Sequence, residues 1–192
     1  MSISLVKGQK ISLAKDGGNL TGVLMGLGWD AAKKGFMGRL LRQKNGIDLD
    51  ASCLIFDHNN ELIDIAFYNK LDTFNGIIVH TGDNRTGDGD GDDEVIRVDL
   101  SRVPPEIKAL VFVVTSYEGH SFNKITNAYC RVVDEVTSKE LIKFNVSESG
   151  SHTALIMAKI YRVNGEWKIH AIGEQAKGKT PFDLLPQVIH AL

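Results

Sequence analysis

The residues whose types and spacing suggest chemistry form one acidic stretch, residues 82–94. From position 83 to position 94 it holds six acids and one base, a local charge of −5, whereas the whole chain carries −2. The acid is therefore concentrated here, and the remainder of the chain is close to +3 by subtraction. Crowded carboxylates repel one another, and the four interleaved glycines add no side chain to shield them. A hard cation with oxygen ligands would relieve this repulsion.

The spacing of the acids excludes the best-known loop of this kind. An EF-hand that started at Asp88 would have acids at alternate positions, but Asp93 would stand where a glycine is required. Its twelfth position would be Asp99, inside an alternating strand pattern. A phosphate-binding loop is excluded as well, because the carboxylates would repel the phosphates.

All-oxygen ligation favours Ca²⁺, with Mg²⁺ second because it keeps more of its water. Zinc would need histidine or cysteine, and His80 near the stretch has no second soft ligand beside it; we expect it to be a strand-end histidine bonded to the backbone. The alternative is a solvated acidic loop, the usual fate of a block of like charge. The glycine spacing and the strand patterns on either side favour the metal site.

A second pair of acids precedes the stretch in an apolar segment. Asp48, Asp50 and Ser52 share one side of the start of a predicted strand, 47–57, where carboxylates are costly to pack. We expect Asp48 and Asp50 to join the acidic stretch in holding cations, and together they supply enough acid for two or more Ca²⁺ ions.

Catalytic residues are not apparent. The chain has no GxSxG motif, and no set of serine, histidine and acid stands out from chance. Acids that hold calcium are not free for acid–base work, so we expect a binding protein and not an enzyme. Two carboxylates with a divalent ion do hydrolyse phosphate esters in some proteins, which keeps a metal-dependent phosphohydrolase as the alternative.

The elements that must position these acids are short strands. Turn signals recur roughly every 8–12 residues, which predicts a two-sheet antiparallel β-sandwich with a few short helices, all-β in class and a single domain over 1–192. The predicted strands cover 20–29, 47–57, 61–68, 77–80, 95–100, 109–116, 128–134, 140–146, 153–163 and 166–172. A C-terminal helix from Pro181 is predicted to place on one face Phe182, Leu185, Val188, Ile189 and Leu192.

Residues 31–46 differ from the rest, with five basic residues and no acid. A basic amphipathic helix here could contact an anionic membrane surface or an acidic partner. A connection that packs its apolar side on the domain is the preferred reading, because Gly35, Gly38 and Gly46 weaken a helix.

Composition indicates the compartment of the protein and the partners it lacks. Cys53 and Cys130 stand apart in apolar runs, which predicts buried thiols in a reducing compartment. No signal peptide and no long apolar run is visible, so we expect a soluble, cytoplasmic protein. The near-neutral net charge gives no reason to expect specific nucleic-acid binding.

Several stretches together resemble the TerD family of bacterial tellurium-resistance and stress proteins. They are 4–8 (SLVKG), 26–30 (GLGWD), 47–51 (IDLDA), the acidic run 80–94 and 127–133 (NAYCRVV). The likeness extends over nearly the full chain. The basic 33–38 and the turn 150–153 are most similar to the TerZ branch of that family.

This resemblance implies a cytoplasmic calcium-binding β-sandwich encoded with a tellurite-resistance operon. It implies association with other proteins of that operon, including a membrane partner (TerC-like). Peripheral contact with the inner face of the membrane is an expectation from the basic character of 31–46. Some relatives are described as binding cyclic AMP, but nothing in this sequence cradles a phosphate. The family's calcium ligands map onto the paired acids of 48–50 and onto the loop. The candidate metal ligands are Asp48, Asp50, Asp83, Asn84, Gly87, Asp88, Asp90, Asp92, Asp93 and Glu94.

Overall fold

Antiparallel strands make up most of the chain. The structure, a computed structural model, describes residues 7–12, 14–15, 18–30, 47–87, 91–125, 127–146 and 150–192. The basic segment 31–46, with the predictions made for it, lies outside these residues. The strands are β1 (Lys10–Ser12), β2 (Ala14–Lys15), β3 (Gly18–Asn19), β4 (Gly22–Gly28), β5 (Leu49–Asp57), β6 (Leu62–Ala66), β7 (Asp72–Thr73), β8 (Ile78–His80), β9 (Glu94–Asp99), β10 (Ile107–Ser116), β11 (Tyr129–Asp134), β12 (Glu140–Asn145), β13 (Ala154–Val163) and β14 (Glu166–Ala176).

The strands form two six-stranded sheets and a small ribbon. Sheet I has the order β1-β14-β13-β10-β5-β6, and sheet II has the order β12-β11-β4-β9-β8-β7, while β2 pairs with β3. The strand pairs within both sheets are antiparallel. The predicted two-sheet antiparallel β-sandwich is therefore confirmed.

The main core fills the space between the sheets. Fully buried side chains from sheet I, such as Ile55 and Phe112, pack there with Met25 and Ile96 of sheet II. Both cysteines lie buried as free thiols, as predicted. Alternation along each strand supplies this inner face, because successive side chains of a strand point to opposite sides of its sheet.

The outer face of sheet I is buried as well. Phe56 of β5 and Val111 of β10 lie in a second apolar cluster with Leu184 and Val188 of the C-terminal segment. Burial on both faces accounts for the nearly continuous apolar run of β10, since a strand covered on both sides has no solvent-facing positions to fill with polar residues.

Local turn chemistry sets the hairpins. Asn164 and Gly165 both adopt positive φ, 53° and 82°, in the two-residue turn that joins β13 to β14. Asn-Gly favours this turn type because asparagine and glycine tolerate the left-handed region. The strands predicted on either side of this dipeptide, 153–163 and 166–172, are present as β13 and β14, and the predicted strands 128–134 and 140–146 pair as β11 and β12.

The C-terminal helix exists, but its predicted face is partly wrong. A 3-10 turn (Pro181–Leu184) precedes the short helix α1 (Leu185–His190), and Leu184 and Val188 are the fully buried members. Phe182 and Ile189 are exposed by 51% and 49%. The 3-10 turn advances by a third of a circle per residue, so a face drawn with α-helical spacing loses register across it. In the described residues no helix is long and apolar enough to cross a membrane.

Truncation in the main core should separate core packing from surface effects. Phe112 is fully buried, so Phe112→Ala is expected to lower the free energy of unfolding by about 3–5 kcal/mol through the cavity it leaves. Val136, which is 73% exposed, serves as the control, and Val136→Ala should change it by less than about 0.5 kcal/mol. Urea denaturation measures both. Equal effects of the two substitutions would contradict this description of the core.

Candidate metal centre

Three aspartates converge where β5 begins and where the chain leaves β8. One carboxylate oxygen from each of Asp48, Asp50 and Asp83 lies within 4.8 Å of the others. Asp50 is only 2% exposed, Asp48 is half-buried and Asp83 is exposed. We call these three residues the acidic centre. Asp48 and Asp50 belong to the chain entering sheet I, whereas Asp83 follows a strand of sheet II, so the centre joins the two sheets.

Strand register explains how the acids come to this place. Asp50 lies directly opposite Thr115 in the β5–β10 pairing, and the carbonyl of Asp48 accepts the Tyr117 N–H at 3.1 Å. On the other sheet, the Gly82 N–H donates to His80 Nδ1 at 3.1 Å, and Gly82 has a φ of 136°. This turn directs the chain from the end of β8 towards β5. The bond confirms the expectation of a strand-end histidine bonded to the backbone.

The acidic centre contains buried oxygen atoms that have no hydrogen-bond partner in the described part of the protein. They are Asp48 Oδ1 and Asp50 Oδ2, and the hydroxyls of Ser52 and Thr115 beside Asp50 share the same property. A buried polar atom without a partner costs about 1–3 kcal/mol. These are oxygen atoms, which are the ligands that a hard cation prefers, so the residues present fit Ca²⁺.

Burial and mutual repulsion make these carboxyls weak acids. Burial, followed by Glu94, Asp48 and Asp83, raises the pKa of Asp50 from 3.8 to about 8. Burial, followed mainly by Asp83 and Glu94, raises the pKa of Asp48 from 3.8 to about 6. A divalent cation at this point would reverse both effects, because it stabilises the ionised form of each carboxyl.

Glu94, a predicted ligand, has its two oxygens turned to backbone donors. It is fully buried at the start of β9, and it accepts the Ala51 N–H at 2.8 Å and the Asn84 N–H at 3.1 Å. His80 Nε2 lies 3.3 Å from Glu94 Oε2 but without the alignment of a hydrogen bond. Glu94 therefore connects β9, β5 and the loop that carries Asp83.

Asp92 is paired with a cation of the protein itself. The Arg131 guanidinium donates to both carboxylate oxygens, at 2.9 Å from Nε and 3.0 Å from Nη2, and the Tyr129 hydroxyl donates at 3.1 Å. A bidentate pair of this kind is among the stronger hydrogen-bonded ion pairs. Asp92 thus fastens the loop to β11.

Asp93, Asn84 and Gly87 shape the loop. Asp93 accepts the Trp29 N–H and the Asn84 side-chain amide, both at 2.9 Å. Asn84 Oδ1 in turn accepts the backbone N–H groups of Thr86 and Gly87, each at 3.1 Å. Gly87 has a φ of 63°, and a Cβ there would lie 2.5 Å from the indole nitrogen of Trp29, so only glycine fits.

The predicted ligands therefore take different places. Asp48, Asp50 and Asp83 come together; Asn84, Gly87, Asp92, Asp93 and Glu94 build the surrounding loop; Asp88 and Asp90 lie outside the described residues. Calcium binding by any of them stays a prediction.

Two features of the site were not predicted. Thr115 faces Asp50 through a long-range strand pairing, and Arg85 donates to Asp83 at 2.8 Å. In the sequence, Thr115 is marked only as a polar residue near the end of an apolar strand, and Arg85 only as a single base among acids.

Fold and site together define a two-sheet β-sandwich with an acidic centre at the sheet junction. A TerD domain model matches residues 1–181. The chain is 44% identical over 191 residues to the tellurium resistance protein TerZ of Serratia marcescens, covering 99% of this chain and 98% of that protein. It is 42% identical over 186 residues to general stress protein 16U of Bacillus subtilis, covering 93% of each. The chain belongs to the TerD family of tellurium-resistance proteins, as the sequence motifs predicted.

A solved structure shows the same fold. A homologue of telluride resistance protein (TerD) from Streptomyces coelicolor superposes with a TM-score of 0.74 at 19% identity, over 87% of this chain and 96% of that one. The relatives carry the names of resistance and stress-response proteins.

The raised pKa values make stability depend on pH when calcium is chelated. The pKa of Asp50 is about 8 in the folded protein and 3.8 in the unfolded chain. The stability that its protonated form gives the fold is therefore fully present at low pH and is lost as pH rises through about 8. We expect the free energy of unfolding in EGTA to fall by on the order of 4 kcal/mol between about pH 5 and about pH 8 through this group. Urea titrations at several pH values measure the fall, and Asp50→Asn should flatten the curve. A wild-type curve that is already flat would contradict the shift.

Proposed function

We propose that the protein is a calcium-binding module of the bacterial tellurite-resistance and stress-response system. It binds Ca²⁺ at the acidic centre and acts by calcium-dependent association with other proteins of that system, including a membrane partner. The observation that supports this most directly is the convergence of Asp48, Asp50 and Asp83 around buried oxygen atoms that have no partner among the described residues.

The chain itself supplies what a first ion would need. Three carboxylates offer up to six oxygen atoms, and Ca²⁺ takes six to eight oxygen ligands. Asp48 and Asp50 stand on a rigid strand, while Asp83 is held by a loop that Glu94, Asp92 and Asp93 fasten in place. When bound, calcium supplies positive charge and no chemistry. A second ion is proposed for Asp88 and Asp90, since Asp92, Asp93 and Glu94 have partners in the protein.

Catalysis has less support from the site. A phosphohydrolase would need a proton donor beside the metal, and His80 is fully buried with its Nδ1 occupied by the Gly82 N–H. Arg85 is a permanent cation and transfers no proton under ordinary conditions. A cyclic nucleotide would bring its phosphate against three carboxylates. Binding without turnover is the function that these residues favour.

Calcium should stabilise the protein through the acidic centre. At a calcium concentration about a hundredfold above Kd, the gain is about 2.7 kcal/mol, or a rise of roughly 5–10 °C in Tm. Asp50→Asn and Asp48→Asn should each weaken binding at least tenfold in isothermal titration calorimetry and reduce the rise in Tm. A Tm that is indifferent to both calcium and EGTA would contradict the proposal.

Asp92→Asn provides the matched control for these variants. It removes the same charge from the neighbouring loop, but Asp92 is bound to Arg131 and Tyr129 and not to the acidic centre. We therefore expect it to lower the Tm with and without calcium while leaving the first calcium affinity within about threefold. Loss of binding equal to that of Asp50→Asn would place Asp92 among the ligands instead.

Arg85 should compete with the ion. Its Nε donates to Asp83 at 2.8 Å, and its side chain is 76% exposed and free to move away. Because the guanidinium already neutralises part of the charge, Arg85→Gln is expected to raise calcium affinity by about three- to tenfold at low ionic strength, with a smaller gain at high salt. Calorimetry at two salt concentrations measures both. The matched control is Arg102→Gln, which removes an exposed arginine that pairs with Asp99. An unchanged affinity for Arg85→Gln would show that Arg85 does not compete.

A further inference from the structure

Four aromatic rings form a continuous row across the surface. Tyr117 packs edge-on against Tyr68 with ring centroids 5.7 Å apart, Tyr68 against Phe67 at 5.1 Å, and Phe67 against Phe182 at 5.7 Å. The two end members are the most exposed: Tyr117 by 47% and Phe182 by 51%. We call these four residues the aromatic row. Contiguous exposed apolar groups can mark a binding surface, whereas single ones are ordinary.

The aromatic row begins at the acidic centre. The Tyr117 N–H donates to the carbonyl of Asp48 at 3.1 Å, which places the backbone of Tyr117 beside that of Asp48. Burial, Tyr117 and then Asp50, Asp83 and Asp48 raise the pKa of Tyr68. The acidic centre and the Tyr117 end of the aromatic row are therefore neighbours.

We propose that the calcium-loaded acidic centre and the aromatic row together form a docking surface for an anionic phospholipid bilayer. This rests on the calcium binding proposed above and names a partner for that site. The Asp83 side chain is 21% exposed, so the site is partly open to solvent on that side. Phosphate or carboxylate oxygens of a headgroup complete the six to eight ligands that calcium takes.

Charge makes this docking depend on the ion. Without calcium, three carboxyl groups face a single cation, Arg85, so nothing at the centre attracts an anionic surface. One Ca²⁺ adds positive charge and bridges directly to headgroup oxygens. The face therefore gains an attraction for anionic headgroups only when calcium is bound.

The order of groups along the face matches the layers of a bilayer surface better than a protein groove. The ion site corresponds to the phosphate level. The two tyrosines have an apolar ring and a polar tip, the combination enriched at the membrane–water interface, and Phe182 at the far end is wholly apolar.

Vesicle sedimentation with the full chain tests this docking surface. The vesicles contain phosphatidylcholine alone or mixed with phosphatidylserine, in calcium or in EGTA. We expect sedimentation only with phosphatidylserine and calcium together. Tyr117→Ser and Phe182→Ser should each weaken it by about tenfold, since each removes one ring from the interface, while calcium titration in solution stays unchanged. Val136→Ser is the matched control, because Val136 is an exposed apolar residue of the β11–β12 turn at the opposite end of sheet II.

The possible outcomes separate this proposal from the one on which it rests. If calcium titrates the centre but no vesicle sediments, the bilayer is the wrong partner and calcium binding stands. If calcium does not bind at all, both fail. Sedimentation that persists in EGTA would assign it to the basic segment 31–46, and equal loss with Val136→Ser would show that the aromatic row has no special part; either result overturns the docking surface.

Discussion

The buried carboxylate of Glu94 holds the two sheets in the relation on which the site depends. It stands at the start of a sheet II strand, yet it accepts an N–H from Ala51 of sheet I and another from Asn84 in the loop. A fully buried carboxylate is tolerated only where such donors meet it. The hydrogen bonds to Glu94 hold β9, β5 and the loop of Asn84 together. That arrangement sets the positions of Asp48, Asp50 and Asp83.

The acids around this point fall into two groups by their partners and not by their sequence. Asp92 accepts from the Arg131 guanidinium, and Asp93 and Glu94 accept backbone N–H groups. These three acids hold the loop in place. Asp48 and Asp50 have buried oxygens for which the described chain offers no donor. Charge density alone would rank all of them equally as ligands. The distinction between framing and unpaired carboxylates makes the metal proposal specific.

Much of the fold was predictable because its signals are local. Alternating strands and the Asn164-Gly165 turn specify hairpins within a few residues, and the pairing of Asp48 with Asp50 follows from spacing along one strand. The functions of the loop acids were not predictable, since the partners of Asp92 and Asp93 are 39 and 64 residues away. Long-range register likewise placed Thr115 against Asp50 and β1 against β14. The helix face was missed because a 3-10 turn changed its period.

The position of the acidic centre between two sheets has a mechanical consequence. Asp48 and Asp50 belong to the sheet I side and Asp83 to the sheet II side, so an ion held by all three is a removable cross-link across one end of the sandwich. Sheets joined by such a link open less readily at that end, whereas the Val136 end is closed by contacts of the protein alone, among them the Trp167 indole N–H that donates to the Leu100 carbonyl at 3.1 Å. Local unfolding would then begin at different ends of the same molecule according to the calcium supply, and a protease would cut the two forms at different places.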